Sequence, residues 1–474
     1  MANRRTFLRT MMAGAVGAGA GSPSPGFGAA GTRVAPSDRV CVGMIGAGLI
    51  GTRHLIDFTA QPDVDVVAIA ELSPARMQAA RARTEGRAEA VTDFRRMLDR
   101  KDIDAIVVST PDHWHALMTV MACAAGKDVY VEKPLTHVVR EGDWMVSAAT
   151  RHQRIVQVGT QQRSGRHYQR AKALLREGHL GDIRHVHVRS TRNIVPGFTR
   201  PVDDPQLTPE AWDMWLGPAP SVPFDPRRAL YHFRWYWDYS GGQTTNLLAH
   251  DLDIVQWMTD AMPRRVSAFG QRRSLQGFGE TPDAFEATYE FPGFLLTWSN
   301  SEVSAGRWRG LEIGGTKGTL TISRAGFEII PDATIPAEDQ IPRVEFAGRP
   351  AAAATPRTEA IKDDGYEQVR DQFVPHVRDF LEAIKSRRPP VSDLASAQRT
   401  ATACHLANVA MRVGRVVRWD VAANDVVGDP AASALLTKAY RAPWDRELLA
   451  IVPGATLAPA APRSSASVGG EGRL

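Results

Sequence analysis

Cysteine is scarce in this chain of 474 residues. Cys41, Cys123 and Cys404 stand far apart in stretches of regular apolar pattern. That spacing excludes a disulfide framework and a thiolate metal site, and it reads as three small hydrophobes. Long apolar runs are missing too: no segment beyond the N-terminus suffices to span a bilayer. Internal repeats are not visible. Unbalanced charge is confined to one place. The net charge is +5, but residues 1–36 hold Arg4, Arg5, Arg9 and Arg33 and no Asp or Glu. The remainder is nearly neutral and calls for no nucleic-acid partner. What is present is ordinary for a globular protein of more than one domain, with 43% hydrophobic and 23% charged residues.

The N-terminal "NRRTFLRTMMAGAVGAGAG" places Arg4-Arg5 ahead of Phe7-Leu8 and a mildly apolar Ala/Gly run. It resembles a twin-arginine export signal, too short and too weakly apolar for a membrane helix. Residues 1–36 are read as signal and linker, and the mature protein as periplasmic or secreted. The scarcity of cysteine suits a protein that folds before export.

"RVCVGMIGAGLIGTRHLIDF" runs from a short apolar strand through Gly46-Ala47-Gly48-Leu49-Ile50-Gly51 into a helical pattern. The first glycine permits a tight turn, the second lets backbone approach a pyrophosphate, and the third lets helix pack on strand. The next strand, "VDVVAIAEL", ends at Glu71, twenty positions after Gly51, where a carboxylate that binds ribose hydroxyls is expected. A carboxylate there repels a 2′-phosphate, which favours NAD over NADP, while nearby Ser73 and Arg76 leave NADP open. Helical "PARMQAARAR", strand "DAIVVST", helical "HWHALMTVMACAAG", strand "KDVYVEKP", a helix around 138–151 and strand "RIVQVG" follow. The alternation predicts a doubly wound parallel sheet over residues 37–158, with ligands at the carboxyl ends of its strands. Two polar clusters fall there: Ser109, Thr110 and Pro111 with His113 and His115, and Glu132-Lys133-Pro134. Without Cys or carboxylate in suitable array, the two histidines make no zinc site. They read as capping the following helix and lining the cofactor pocket.

Beyond residue 160 the alternation stops. Short β-like runs follow, among them "IRHVHVRS", "AFEATYEF", "FLLTWSNSE" and "GLEIGGTKGTLTIS", the last with a hairpin's turn glycines. Residues 333–362 are Ala/Pro-rich and read as a surface excursion; 446–474 read as a disordered tail. "YHFRWYWDYSGG", Tyr231 to Gly242, is dense in aromatics that suit sugar stacking and core packing equally.

In "SGGQTTNLLAHDLDIVQW", Asn246 and His250 are four apart on a helical pattern, a spacing that stacks them on one face. This stretch, with "GMIGAGLIGTRH", "STPDHWHALM" and "VYVEKPL", resembles the family of glucose–fructose oxidoreductase, inositol dehydrogenase and rhizopine-catabolism proteins over roughly residues 38–445. The resemblance implies an N-terminal Rossmann domain and, over 159–445, an α+β domain on a large, mostly antiparallel sheet that often serves in homo-oligomerisation. It implies that Lys133 of the "EKP" motif lies near the nicotinamide and the reacting hydroxyl, and that His250 is a general acid/base. The cofactor set is Gly46, Gly48, Leu49, Ile50, Gly51, Glu71, Ser109, Thr110, Pro111, His115, Glu132 and Lys133. The Lys133–Pro134 peptide is a candidate for the cis form.

The family's dehydrogenases commonly carry Asp where this chain has Asn246. A carboxylate would orient the imidazole and stabilise its charged form; an amide orients it with less charge stabilisation. Either Lys133 is the main base, or Asp251 or Asp253 supplies the missing charge, or no strong base is required. Asp253 shares the face of His250 better, but the resemblance makes it a structural acid.

The expected protein is an NAD(P)-dependent oxidoreductase acting on a CH–OH group of a sugar, cyclitol or glycoside. Outside the cytosol no free nicotinamide pool exists, so the cofactor is expected to be tightly bound and reoxidised in place. One rival is a redox-neutral enzyme that cleaves glycosides through transient oxidation at C3. Another is a sugar-binding protein that has lost turnover.

Overall fold

The computed structural model describes residues 38–193, 207–229, 231–273, 279–304, 306, 309–334, 355–363 and 372–459. The signal-like residues 1–36, most of the Ala/Pro-rich stretch and residues 460–474 lie outside them.

Six parallel strands form the first sheet: β1 (Val40–Ile45), β2 (Val64–Ala70), β3 (Glu89–Val91), β4 (Ala105–Val108), β5 (Asp128–Val131) and β6 (Val156–Val158), in the order β3-β2-β1-β4-β5-β6. All four residues of β4 and of β5 are buried, as expected where helices cover both faces of a parallel sheet. Five of these strands match the sequence reading. The sixth, β3, is a three-residue edge strand, too short for a periodic signal. The crossover helices are α1 (Leu49–Thr59), α2 (Pro74–Arg83), α3 (Asp112–Ala124) and α4 (Val139–Arg151).

After α5 (Arg166–Arg176) a ten-stranded sheet begins. Its strands are β7 (Ile183–Thr191), β8 (Arg265–Gln271), β9 (Ala284–Phe291), β10 (Phe294–Ser301), β11 (Gly310–Gly315), β12 (Gly318–Ser323), β13 (Gly326–Pro331), β16 (Ile361–Asp363), β17 (Val417–Asp420) and β18 (Asp425–Val426). The order is β16-β13-β12-β11-β7-β10-β9-β8-β17-β18, with only β7 and β10 parallel. Strand β9 alternates between buried and open positions, because one face packs on helices and the other does not. Trp298, fully buried on the inner face, would cost about 3–5 kcal/mol on truncation to alanine.

One expectation needs correction. Residues 446–459 are no disordered tail. Helix α9 (Trp444–Ile451) seats Trp444, Leu448 and, just beyond it, Val452 in the core beside α3, and Arg151 Nη1 donates to the Ile451 carbonyl at 2.9 Å. The segment docks through residues spaced four apart, one per helical turn. The 333–362 excursion is anchored at both ends: β14 (Ala333–Thr334) pairs with β15 (Thr355–Pro356), and β16 extends the large sheet.

The two sheets share a wall. Helix α8 (Leu394–Val413), N-capped by Asp393 and ended by Gly414 at φ +68°, places Leu394, Ala397 and Ala401 against the parallel sheet. Its Cys404, Leu406, Ala407 and Ala410 pack against the antiparallel one. Helix α7 (Phe373–Ser386) covers the opposite side of the parallel sheet with Val377, Phe380 and Leu381.

Candidate active site

The turn from β1 into α1 is built by its glycines. Gly46 takes φ +88°, and a Cβ there would lie 2.8 Å from the Ser109 carbonyl oxygen. A Cβ on Gly51 would lie 2.0 Å from the Gly46 carbonyl oxygen, so helix and turn touch with no room for a side chain. Gly48 differs: the nearest group is Arg76 Nη1 at 3.6 Å, so its open side faces a cavity. The first turn of α1 holds no acidic side chain and no side-chain cap, which leaves its N–H groups for an anion.

That cavity, of about 380 Å³, is lined by Gly46, Gly48, Leu49, Ile50, Glu71, Ser109, Thr110 and Pro111, all expected from the sequence, and by Ser73, Arg76, Trp114, Tyr231, Phe233 and Arg234 among others. Glu71 accepts from Ala47 N–H at 2.7 Å and Ser73 N–H at 2.8 Å, which fixes its carboxylate beside the glycine turn with acceptor sites to spare. An open-sided glycine, a free helix N-terminus and an oriented carboxylate fit a dinucleotide.

Not every expected residue faces the cavity. Lys133 is not among its lining residues, and Gly51 lies under the turn. Glu132 is buried with Oε1 2.7 Å from His54 Nε2 and from Gln161 Nε2. Burial works against its charge, yet the His54 and Lys133 neighbours hold its pKa below the usual carboxylate range. Glu132 therefore positions Lys133, whose N–H donates to Glu132 Oε2 at 3.1 Å. His115 sits between two carbonyls, Pro134 O at 2.7 Å and Thr110 O at 2.9 Å, and so ties together the loops after β4 and β5. His113 is fully buried against Trp215 and Tyr239, and burial lowers its pKa to about 3. Both histidines lie within α3, whose N-cap is Pro111. Neither caps the helix nor lines the cavity, because His113 packs against Trp215 and Tyr239 and His115 is held between the two carbonyls. The one metal-type group among the described residues, His185, His187 and Glu312, is elsewhere, on β7 and β11.

Lys133 follows β5, and its peptide to Pro134 is cis. Its Nζ donates to the Asn246 carbonyl at 2.9 Å and to Asn246 Oδ1 at 3.1 Å. Burial lowers the Lys133 pKa to about 8; Glu132 opposes this shift and Arg234 adds to it. Asn246 lies in a π-helical turn, Thr244–Leu248, that opens helix α6 (Ala249–Thr259); such turns recur at functional sites. Its Nδ2 donates to Gln243 Oε1 at 2.9 Å.

The expected pairing of Asn246 with His250 does not form, because the amide is taken up by Lys133, Gln243 and Arg234. The hydrogen-bond partner of His250 among the described residues is Arg324, whose Nη2 is 3.5 Å from its Nε2. Burial, then the charges of Lys133 and Arg324, push the His250 pKa well below its ordinary value. Asp253 does not serve His250 either: both its oxygens bind Arg163, at 2.6 and 2.8 Å, with the pair fully buried. Asp251 is pushed up to about 6 by burial, against the pull of Arg324 and Arg309.

Sequence reasoning missed Arg234 and Arg324. The first hides among the aromatics of "YHFRWYW"; the second arrives on the β12–β13 turn, with no local signal. That aromatic stretch divides: Trp235, Tyr236 and Tyr239 are core, while Tyr231 and Phe233 line the cavity beside Arg234.

Three family models match the chain. "Oxidoreductase family, NAD-binding Rossmann fold" covers residues 40–160, "GFO/IDH/MocA C-terminal domain" 221–321, and "Oxidoreductase family, C-terminal alpha/beta domain" 366–446. An inositol 2-dehydrogenase of Acidothermus cellulolyticus is 27% identical over 239 residues, 50% of this chain and 58% of that protein. A glycosyl hydrolase family 109 protein of Shewanella pealeana is 30% identical over 206 residues, 39% of this chain and 44% of that protein. The chain thus spans about half the length of these relatives. Among solved structures, a levoglucosan dehydrogenase in complex with NADH and levoglucosan superposes with TM-score 0.61 at 18% identity, covering 80% of this chain and 99% of that one. An aldose–aldose oxidoreductase from Caulobacter crescentus gives 0.59 at 21%, with the same coverage. At these identities the likeness is one of fold.

Proposed function

We propose that this chain, which belongs to the GFO/IDH/MocA oxidoreductase family, oxidises a CH–OH group of a sugar, cyclitol or glycoside. The observation that carries this reading is the lysine after β5, which shares Asn246 Oδ1 with Arg234 of the cavity wall. Lys133 is half-buried, its pKa is lowered to about 8, and two of its donors are engaged by Asn246. As a neutral amine it keeps those two bonds and presents its lone pair to a substrate hydroxyl. His250 is neutral at physiological pH and so accepts or relays a proton rather than stabilising a negative charge. Gly46, Gly48, Glu71 and the α1 N-terminus would hold NAD, which supplies a hydride acceptor when bound; Arg76 beside Gly48 admits NADP as well.

The Arg4-Arg5 segment supports a further part of the reading. The protein is exported already folded, with its nicotinamide tightly held, and the redox cycle closes within one active site. The likeness to the glycosyl hydrolase family 109 protein favours a second reading, glycoside cleavage in which oxidation at C3 acidifies the neighbouring C–H and is later reversed.

The test is the near-ultraviolet absorbance of nicotinamide in purified holoprotein while sugars and glycosides are added without an acceptor, with products analysed from the same samples. A lasting rise in reduced cofactor is the result expected of an oxidoreductase. A changed sugar with no lasting rise would establish the redox-neutral reading. Neither change across a broad panel would leave a binding protein and overturn both.

A further inference from the structure

Arg234 is the charged group at the cavity wall that the proposed chemistry does not use. Its guanidinium lies 4.5 Å from the ring centroids of both Tyr231 and Phe233, an arrangement that fixes its plane. Nη1 donates to the Tyr231 carbonyl at 3.2 Å and Nε to Asn246 Oδ1 at 3.4 Å. Both acceptors are neutral. Among the described residues Nη2 has no partner, and no carboxylate pairs with Arg234. Other arginines held inside this chain are paired: Arg163 with Asp253 and Arg192 with Glu302. An enclosed guanidinium without a counter-charge is costly unless a ligand supplies one.

The acids whose charges act on Arg234, Asp112 and Glu132, make no hydrogen bond or ion pair with it among the described residues. Asp112 accepts from Ser240 Oγ at 2.6 Å, and Glu132 is taken by His54 and Gln161. The side chain that touches both Lys133 and Arg234 is that of residue 246, and it is an amide. Asn246 Oδ1 accepts from both Lys133 and Arg234 and neutralises neither. An aspartate there would compensate both cations and hold the lysine protonated. The amide instead keeps Lys133 able to lose its proton and leaves the free edge of Arg234 uncompensated.

We propose that the substrate carries a carboxylate, as a uronic or ulosonic acid or its glycoside, and that Arg234 is the anchor that binds it. This rests on the reading of the cavity as the site of a sugar oxidoreductase. One free guanidinium edge matches a single planar carboxylate. A phosphate dianion would bring a second charge toward Lys133 and oppose its deprotonation.

Titration calorimetry on the holoprotein tests this with matched ligands: methyl glycosides of hexuronic acids, the corresponding uronamides, the parent hexosides and hexose 6-phosphates. Nicotinamide absorbance is followed in parallel. The acids are expected to bind about tenfold or more tighter than the amides. Arg234→Gln should erase that preference, and Arg234→Lys, which keeps the charge but not the fork, should retain part of it. Thermal melts of both variants check that they are folded. Equal binding of acid and amide, no binding of any acid, tighter binding of the phosphates, or an intact preference in folded Arg234→Gln would each overturn the anchor. An intact preference without turnover would support the anchor and overturn only the oxidoreductase reading.

Discussion

Lys133 rests on Asn246: its Nζ donates to the main-chain carbonyl at 2.9 Å and to the side-chain Oδ1 at 3.1 Å. Residue 246 therefore sets the charge environment of the lysine directly. A neutral amide satisfies two donors without favouring the ammonium form, and burial lowers the pKa to about 8. Asn246→Asp puts a carboxylate within 4 Å of that nitrogen, a change that ordinarily moves a pKa by about 1–3 units. The sign is upward, because the charged lysine is now favoured. If Lys133 is the base, only its neutral fraction turns over. The alkaline-rising limb of the rate profile should then move from near pH 8 to higher pH, and turnover at neutrality should fall roughly tenfold or more. An unmoved limb in the folded variant would exclude Lys133 as the base.

His250 is held neutral by its surroundings. Burial is the larger cause, and the Lys133 and Arg324 charges add to it. Arg324→Gln removes one of those charges, so the His250 pKa should rise toward its ordinary value, as read by NMR titration of the ring. Replacing the imidazole by His250→Gln should lower kcat by about 10²–10⁴ if it takes part in proton transfer. The Lys133 limb near pH 8 should survive in that variant. A loss of less than about threefold would reduce His250 to a packing group.

Glu71 is oriented by two backbone N–H groups, those of Ala47 and Ser73. Glu71→Gln keeps the shape but removes the charge and one acceptor oxygen. Charge-assisted hydrogen bonds of this kind contribute about 1.5–3 kcal/mol, so NAD should bind roughly 10–100-fold more weakly. NADP affinity should fall less or rise, since the repulsion of its 2′-phosphate is gone and Arg76 is near. Fluorescence titration of cofactor-free protein with both nucleotides reads the ratio. Unchanged NAD affinity would mean that the adenosine ribose lies away from Glu71.

The cofactor half of the site was legible because its determinants are local. A glycine spacing, an acid twenty positions on and two strand ends specify Gly46, Gly48, Glu71 and Ser109 to Pro111 within one βαβ pattern, and all of them line one cavity. The substrate half depends on chain crossings that no local pattern encodes. Asn246 and His250 are four apart in sequence, yet the π-helical turn and the approach of Lys133 send the amide to the lysine. Arg234 and Arg324 come from an irregular aromatic segment and a hairpin turn, where neither periodicity nor motif singles out a side chain. Short strands such as β3, β16 and β18 carry too few residues for alternation to show, and the docking of α9 rests on Trp444, Leu448 and Val452.

Asp253 separates a structural acid from a catalytic one. Its two oxygens accept from Arg163 Nη2 and Nε at 2.6 and 2.8 Å, and Oδ1 also accepts from Thr400 Oγ1 at 3.1 Å. Arg163 in turn reaches Ser396 Oγ at 2.7 Å, so the pair joins α6 to the shared helix α8. Removing one partner of such a buried pair leaves the other uncompensated and costs about 3–5 kcal/mol. Asp253→Ala should therefore lower the melting temperature by several degrees. Asp253→Asn, which retains one acceptor for Arg163 and the Thr400 bond, should lose less. In Asp253→Asn that is still folded at the assay temperature, kcat and the pH limb should be those of the unaltered protein, because the acid makes no contact with His250 or Lys133. A variant of normal melting temperature whose turnover collapses would instead place Asp253 behind His250 as the missing charge, acting through a rearrangement on substrate binding.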